Sequence, residues 1–327
     1  MTKSLNFGSQ GRYACILYDA TFKIIVCNPR NEKLMIKIIE LLLPGKHIDS
    51  IDFLDKEQHG LEKHEKGVTF DLLCKDRETG EQFLVEVQND KENSFQDRML
   101  SYSTYPIREQ MERRLAEVGD EKRRDRMNYA LTPVYVLSLV NFALGHESDE
   151  ALDDDGLISR YSVRNDRNGE PMTDALHFVY VEMGRFPYTK DEAEKCETLL
   201  EKFIYSMKYI HQLRSRPENF EGELMDLLYT VSEKAKMSIK ELQKYDKTMY
   251  TELDRLAQLE YAEQNGYEKG RAEGKAEGKA EGTVEGRNAM SEEIARNMKK
   301  SGYPVDEITR LTGLSAEQIK QATGIEL

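Results

Sequence analysis

Two acids and an amide on neighbouring strand-like runs have the types and spacing for metal chemistry. Asp71 lies in Phe70-Asp71-Leu72-Leu73-Cys74-Lys75, and Glu86, Val87 and Gln88 close the run from Gln82 to Gln88. Asp76-Arg77-Glu78-Thr79-Gly80-Glu81 between them is a turn signal. Pairing the runs antiparallel, with paired numbers adding to 157, sets Asp71 opposite Glu86, Leu73 opposite Leu84 and Lys75 opposite Gln82. Phe70, Leu72, Val85 and Val87 then point to the other face, which is wholly apolar and suited to a core. A slip of one residue mixes the faces. Carboxylates opposed on a sheet have Cβ atoms about 4.5–5.5 Å apart and repel unless a cation lies between them. Mg²⁺ is commonly held by one or two carboxylates together with water and substrate phosphate. Gln88, two residues beyond Glu86, shares its face. A divalent metal, Mg²⁺ or Mn²⁺ in its place, on Asp71 and Glu86, an orienting amide and room for a phosphate can therefore converge on one patch. The competing reading is an exposed strand face with ordinary surface acids.

Such a pair needs a sheet and helices to hold it. Residues 68–75 and 82–89 read as the strands of a hairpin. Val134–Val140 is a continuous apolar run of strand length, as expected of a strand buried on both faces. Residues 158–164 and 177–182 read as two more strands with Asn168-Gly169 in the turn between them, and Ile48 to Leu54 as a short one. Residues 31–43 form an amphipathic helix between an Asn31 cap and Pro44-Gly45. Residues 93–118 are helical in pattern up to Gly119. Residues 190–213, 219–234 and 238–260 read as successive helices. Residues 1–30 give no clear element, and 55–66 read as polar loop.

Several segments, in order, resemble the recombination-promoting nucleases (Rpn), a transposase branch of the PD-(D/E)XK nucleases. DATFKIIV at 19–26 is similar to the family's N-terminal acid-x-x-Phe-Lys motif. FDLLCKDRETGEQFLVEVQ at 70–88 is similar to its catalytic hairpin, DRMLSYSTYPIREQ at 97–110 to the following helix, and LTPVYVLSLVNF at 131–142 to the next core strand. The EGKAEGKAEG run and the ITRLTGLSAEQI tail are also similar to members. The resemblance implies an α/β, restriction-endonuclease-like core, a mixed central sheet flanked by helices, with an all-helical C-terminal extension. It carries Asp71 and Glu86 over as metal ligands, adds the Val87 carbonyl as a third, and puts Gln88 where many of these nucleases have lysine. Glutamine brings no charge but can orient a water. The first motif departs from the family pattern, since Ala20-Thr21 replaces an aromatic-glycine pair and Ile25-Val26-Cys27 replaces the usual ending. Asp19 and Lys23, one turn apart on a helix, are expected to face the site, Asp19 as a second-metal or substrate contact.

The net charge of −13 opposes nucleic-acid binding by bulk attraction, so DNA contact requires a local basic surface. Arg98, Tyr102 and Tyr105 share one face of the 93–118 helix, and Arg98 and Tyr102 are the expected DNA contacts. Lys122, Arg123, Arg124 and Arg126 follow, diluted by Glu121 and Asp125. Cys15, Cys27, Cys74 and Cys196 form no CxxC pair and read as buried thiols. His59 and His64 lack further ligands for zinc. No apolar N-terminal segment and no run of about 18 apolar residues occurs, so a cytoplasmic protein without membrane contact is expected.

The expected organisation is a nuclease-like domain at 1–188, a helical extension at 189–262, a repeat at 263–287 and a small helix-turn-helix-like tail at 288–327. Glycine recurs at 266, 270, 274, 278, 282 and 286, which suits either a self-association helix or a flexible charged linker. In the tail, Ile308, Leu311 and Leu314 should make a small core, with Ser315 capping the last helix. Two functions stand: a Mg²⁺-dependent DNA endonuclease that forms homo-oligomers through its C-terminal helices, and a catalytically silent nuclease-fold binding protein.

Overall fold

The computed structural model describes residues 11–54, 57–58, 68–118, 129–145 and 156–324. The strands are β1 (Ile51–Phe53), β2 (Glu57–Gln58), β3 (Val68–Thr69), β4 (Leu72–Asp76), β5 (Gln82–Gln88), β6 (Val134–Val140), β7 (Ile158–Ser162) and β8 (Leu176–Glu182). The α-helices are α1 (Asp19–Ile25), α2 (Glu32–Leu42), α3 (Phe95–Val118), α4 (Leu199–Tyr209), α5 (Glu223–Val231), α6 (Ile239–Lys300), α7 (Val305–Thr312) and α8 (Ala316–Thr323). The chain forms two compact units, Met1–Tyr250 and Thr251–Leu327.

The first unit is built on a six-stranded mixed sheet of order β1-β4-β5-β6-β8-β7, and β2 and β3 pair apart from it. β5, β6 and β8 are parallel neighbours, while β4 pairs antiparallel with β5. A parallel pair needs a crossover, and α3 supplies it between β5 and β6. α3 lays Phe95 and Met99 over Leu73, Leu84, Val136 and Val140 on one sheet face. The other face packs Leu72, Val85, Leu137 and Val181 against Phe22, Leu34, Phe203 and Leu224 of the remaining helices. With both faces covered, all seven residues of β6 are buried, as its unbroken apolar run requires.

The β4–β5 register pairs Leu73 with Leu84 and Lys75 with Gln82, the pairing that the sum of 157 demands. Asp76 closes the turn by accepting from the Glu78 N–H at 2.8 Å and the Thr79 hydroxyl at 2.8 Å. Gly80 supplies the left-handed residue at φ +74°. One side chain departs from the expected faces. Phe70 packs with Leu73 and Leu84 rather than with Leu72, because β4 begins at Leu72 and strand alternation does not reach Phe70. Its ring meets Tyr102 and Tyr105 edge-on, with centroids 5.3 and 5.8 Å away.

The α4 helix starts at Leu199, later than the expected 190, because Thr198 and Glu201 form a capping box that fixes its first turn. The expected helix 238–260 and the glycine repeat are one continuous helix, α6. In the second unit Ala295, Ile308, Leu314 and Ile319 make a small core. Leu311 is 61% exposed and is not part of it. The buried stripe of α7 steps from Val305 to Ile308, which leaves Leu311 on the solvent side. Ser315 caps α8 in a box with Gln318. All four cysteines are buried free thiols. No helix among the described residues is long and apolar enough to cross a membrane. His59, His64 and the Lys122–Arg126 run lie outside the described residues.

Candidate active site

Sheet geometry brings Asp71 and Glu86 together. Glu86 lies near the C-terminal end of β5, and Asp71 immediately precedes β4, whose first pair with β5, Leu72 with Val85, lies next to both acids. Each carboxylate is fixed by the other's strand. The Asp71 N–H donates to Glu86 Oε2 at 3.3 Å, and the Val87 N–H donates to Asp71 Oδ2 at 2.8 Å. Both acids are buried, at 4% and 7% exposure, so the exposed-face reading does not describe them.

Two cations approach from different elements. Asp19 and Lys23 stand one turn apart on α1, and Lys23 Nζ lies 2.6 Å from Asp19 Oδ1 and 2.9 Å from Asp71 Oδ1. Arg98 on α3 donates through Nη2 to Gln88 Oε1 at 2.8 Å and pairs through Nη1 with Glu92 at 3.1 Å. Its guanidinium lies 5.3 Å from the Phe95 ring centroid and 5.8 Å from that of Tyr102. Gln88 Nε2 donates to the Asp90 carbonyl at 3.0 Å, so both ends of the amide are engaged and one of them holds Arg98.

Burial governs the protons here. It pushes the Asp71 carboxyl up to about 8, helped by its hydrogen bond with Asp19 and the charge of Glu86. It pushes Glu86 up to about 7, against the Asp71 N–H and the charges of Arg98 and Lys23, which favour ionisation. Burial also works against the charges of Asp19 and Lys23. For Asp19, hydrogen bonds with Asp71 and Lys23 outweigh it and lower the carboxyl. For Lys23, Asp71 and Asp19 outweigh it and raise the ammonium. Burial and the nearby Glu86 charge raise the Tyr102 phenol.

The donor set suits a hard cation. Asp71 and Glu86 offer oxygens only, burial leaves their charge poorly screened, and Lys23 already sits as a cation between Asp71 and Asp19. The described residues hold no group of three or more His, Cys, Asp or Glu side chains able to close on an ion. Two carboxylates are a number by which Mg²⁺ is commonly held. Sequence reasoning missed two features. Arg98 brings a positive charge to Gln88. Ser138 pairs with Glu86 across β5 and β6 and is fully buried, and its hydroxyl has no hydrogen-bond partner. A serine interrupting an apolar strand was the signal for it.

The mixed sheet flanked by helices, with an acid pair beside its parallel strands, defines a nuclease-type α/β core. The family model described as PD-(D/E)XK nuclease family transposase matches residues 16–262, and the chain belongs to that family. No curated protein and no solved structure matches the chain.

Proposed function

We propose that this protein is a divalent-metal-dependent DNA endonuclease acting in recombination, mobile-element or phage-defence biology in the cytoplasm. The observation that carries the reading is the buried, mutually pinned Asp71–Glu86 pair, with Lys23 and Arg98 beside it. Asp71, Glu86 and the Val87 carbonyl would hold Mg²⁺ or Mn²⁺. When bound, the ion supplies activation of a water and neutralisation of charge developing on the phosphate. Asp71 and Glu86 must give up their protons to hold it. Lys23 balances whatever charge on Asp71 is not balanced otherwise. Gln88 positions Arg98, whose guanidinium presents donors to a phosphate oxygen. Tyr102 offers its phenol to phosphate or its ring to a base. A plasmid-nicking assay with and without Mg²⁺ tests this: nicks that require the metal are expected, and intact plasmid under both conditions overturns it.

A second reading, a catalytically silent nuclease-fold protein that acts by assembly, draws on the exposed stretch of α6. In either case self-association would run through the C-terminal helices. Under this second reading plasmid stays intact while a duplex is still retained.

A further inference from the structure

A second polar cluster lies at the C-terminal ends of the parallel strands. Asn141, the residue after β6, donates its backbone N–H to the Gln88 carbonyl at 2.9 Å. Its side-chain amide donates to Asn89 Oδ1 at 2.9 Å. Lys208 of α4 donates to Asn141 Oδ1 at 3.0 Å and to the Met183 carbonyl, just past β8, at 2.8 Å. A chain of hydrogen bonds thus runs from Lys208 through Asn141 to the residue that follows Gln88.

The cluster is not electrically balanced. Lys208 is half-buried, its two acceptors are neutral, and among the described residues it has no carboxylate within ion-pair distance. Burial lowers its pKa. Lys23 and Lys46, which are also half-buried, each contact a carboxylate. A desolvated ammonium without a counter-charge is costly to a fold. Two of its three protons are used, so one donor remains, and Asn89 Nδ2 adds more. An ammonium beside neutral amide donors suits a phosphate oxygen.

Asn89 lies three residues beyond Glu86, about 10 Å along an extended strand. Phosphates on one DNA strand advance about 3.4 Å each along the duplex axis. We propose that Lys208, with Asn141 and Asn89, binds a backbone phosphate of the nucleic-acid substrate within about three nucleotides of the scissile one. This rests on the nuclease reading and adds a positioning site to it.

The test is binding of a labelled duplex across a salt series without added metal, in a Glu86→Gln background that separates binding from turnover. Lys208→Met keeps the aliphatic stem packed and removes the charge. Affinity should fall about tenfold at low salt, the slope of log affinity against log salt should lose about one, and Lys208→Arg should recover both. Asn89→Asp keeps the acceptor for Asn141 and adds a negative charge, so it should lose affinity at an unchanged Tm. It serves if Lys208→Met fails to fold. A lowered Tm with an unchanged slope in Lys208→Met, together with wild-type affinity in Asn89→Asp, overturns the subsite and leaves Lys208 as a structural tie. Plasmid nicking by the wild-type chain then shows whether the nuclease reading stands without it. A wild-type chain that neither binds duplex nor nicks plasmid overturns both.

Discussion

Six of the seven residues of β5 are buried, whereas every residue from 257 to 290 in α6 is exposed. Both segments carry glutamates. In β5 Gln82 accepts from Gln110 Nε2 at 2.7 Å although its own Nε2 has no partner, Glu86 accepts from the Asp71 N–H, and Gln88 holds Arg98. In α6 the repeated Glu273, Glu277 and Glu281 face water. A buried carboxylate is costly unless something compensates it, whereas an exposed one costs almost nothing. An acid in a covered strand is therefore informative about function in a way that an acid on an open helix is not.

The sharpest way to break this contrast is to make the same substitution in both places. Glu86→Gln and Asp71→Asn should each lower cleavage on the order of a thousandfold or more, by the several kcal/mol that a bound metal supplies. Both amides keep an acceptor for the backbone N–H, and each removes an acid whose charged form burial disfavours. The Tm of the metal-free protein should therefore stay level or rise. Glu277→Gln on α6 should change neither rate nor Tm. Cleavage by either site variant at the wild-type rate would remove the pair from the chemistry.

The next effect follows from the raised carboxyls. Asp71 near 8 and Glu86 near 7 bind protons in the folded chain that an unfolded chain releases near pH 4. Between those values the folded state holds more protons, so the stability of the metal-free protein falls as pH rises through 7 and 8. Mg²⁺ competes with the same protons, so cleavage should climb about tenfold or more from pH 6 to pH 8 and then level off. The exposed α6 carboxylates contribute nothing to either trend. Thermal melts with and without Mg²⁺ across pH 6–9 should show the metal stabilising most at the alkaline end. A flat metal-free profile would mean that the two acids stay ionised throughout.

Arg98→Ala should weaken duplex binding about tenfold and take about one from the salt slope. Arg271→Ala, on the exposed stretch of α6, should do neither. Binding that tracks Arg271 and ignores Arg98 would move the DNA surface off the nuclease core.

Much of this site was legible because a hairpin is local. Six turn residues and period-two alternation determine the register, which runs as far as Leu72 with Val85, and backbone hydrogen bonds to the two carboxylates carry the pairing one residue further to Asp71 and Glu86. The Phe70 face was not legible, since alternation predicts a side only inside the ladder, and the ladder begins at Leu72. The Lys23 contact was readable as helical spacing, but its reach to Asp71 depends on how α1 packs on β5. The Arg98–Gln88 bond and the Lys208–Asn141–Asn89 chain join residues 10 to 67 positions apart, and no periodicity encodes those distances. Leu311 failed for a different reason. α7 has eight residues, barely two turns, and an apolar residue at the edge of so short a stripe falls to either side.

The smallest effects belong to the glycine repeat. At Gly270, Gly274 and Gly278 an added Cβ meets nothing within 4 Å, so packing within one chain does not require glycine there. Each alanine should favour the helix by about 1 kcal/mol. The triple substitution should raise helix content and leave the melt of the nuclease core and its cleavage rate unchanged. It also separates two reasons for glycine. If two copies of α6 approach closely along their small residues, three added methyl groups crowd that contact, and self-association weakens while helicity grows. If the repeat only spans distance, helicity grows and mass stays constant. Light scattering should give a larger mass for the full chain than for one ending at residue 262. The triple-alanine chain should fall between them. Equal monomeric masses for the full and shortened chains would end the association proposal and leave α6 as a spacer.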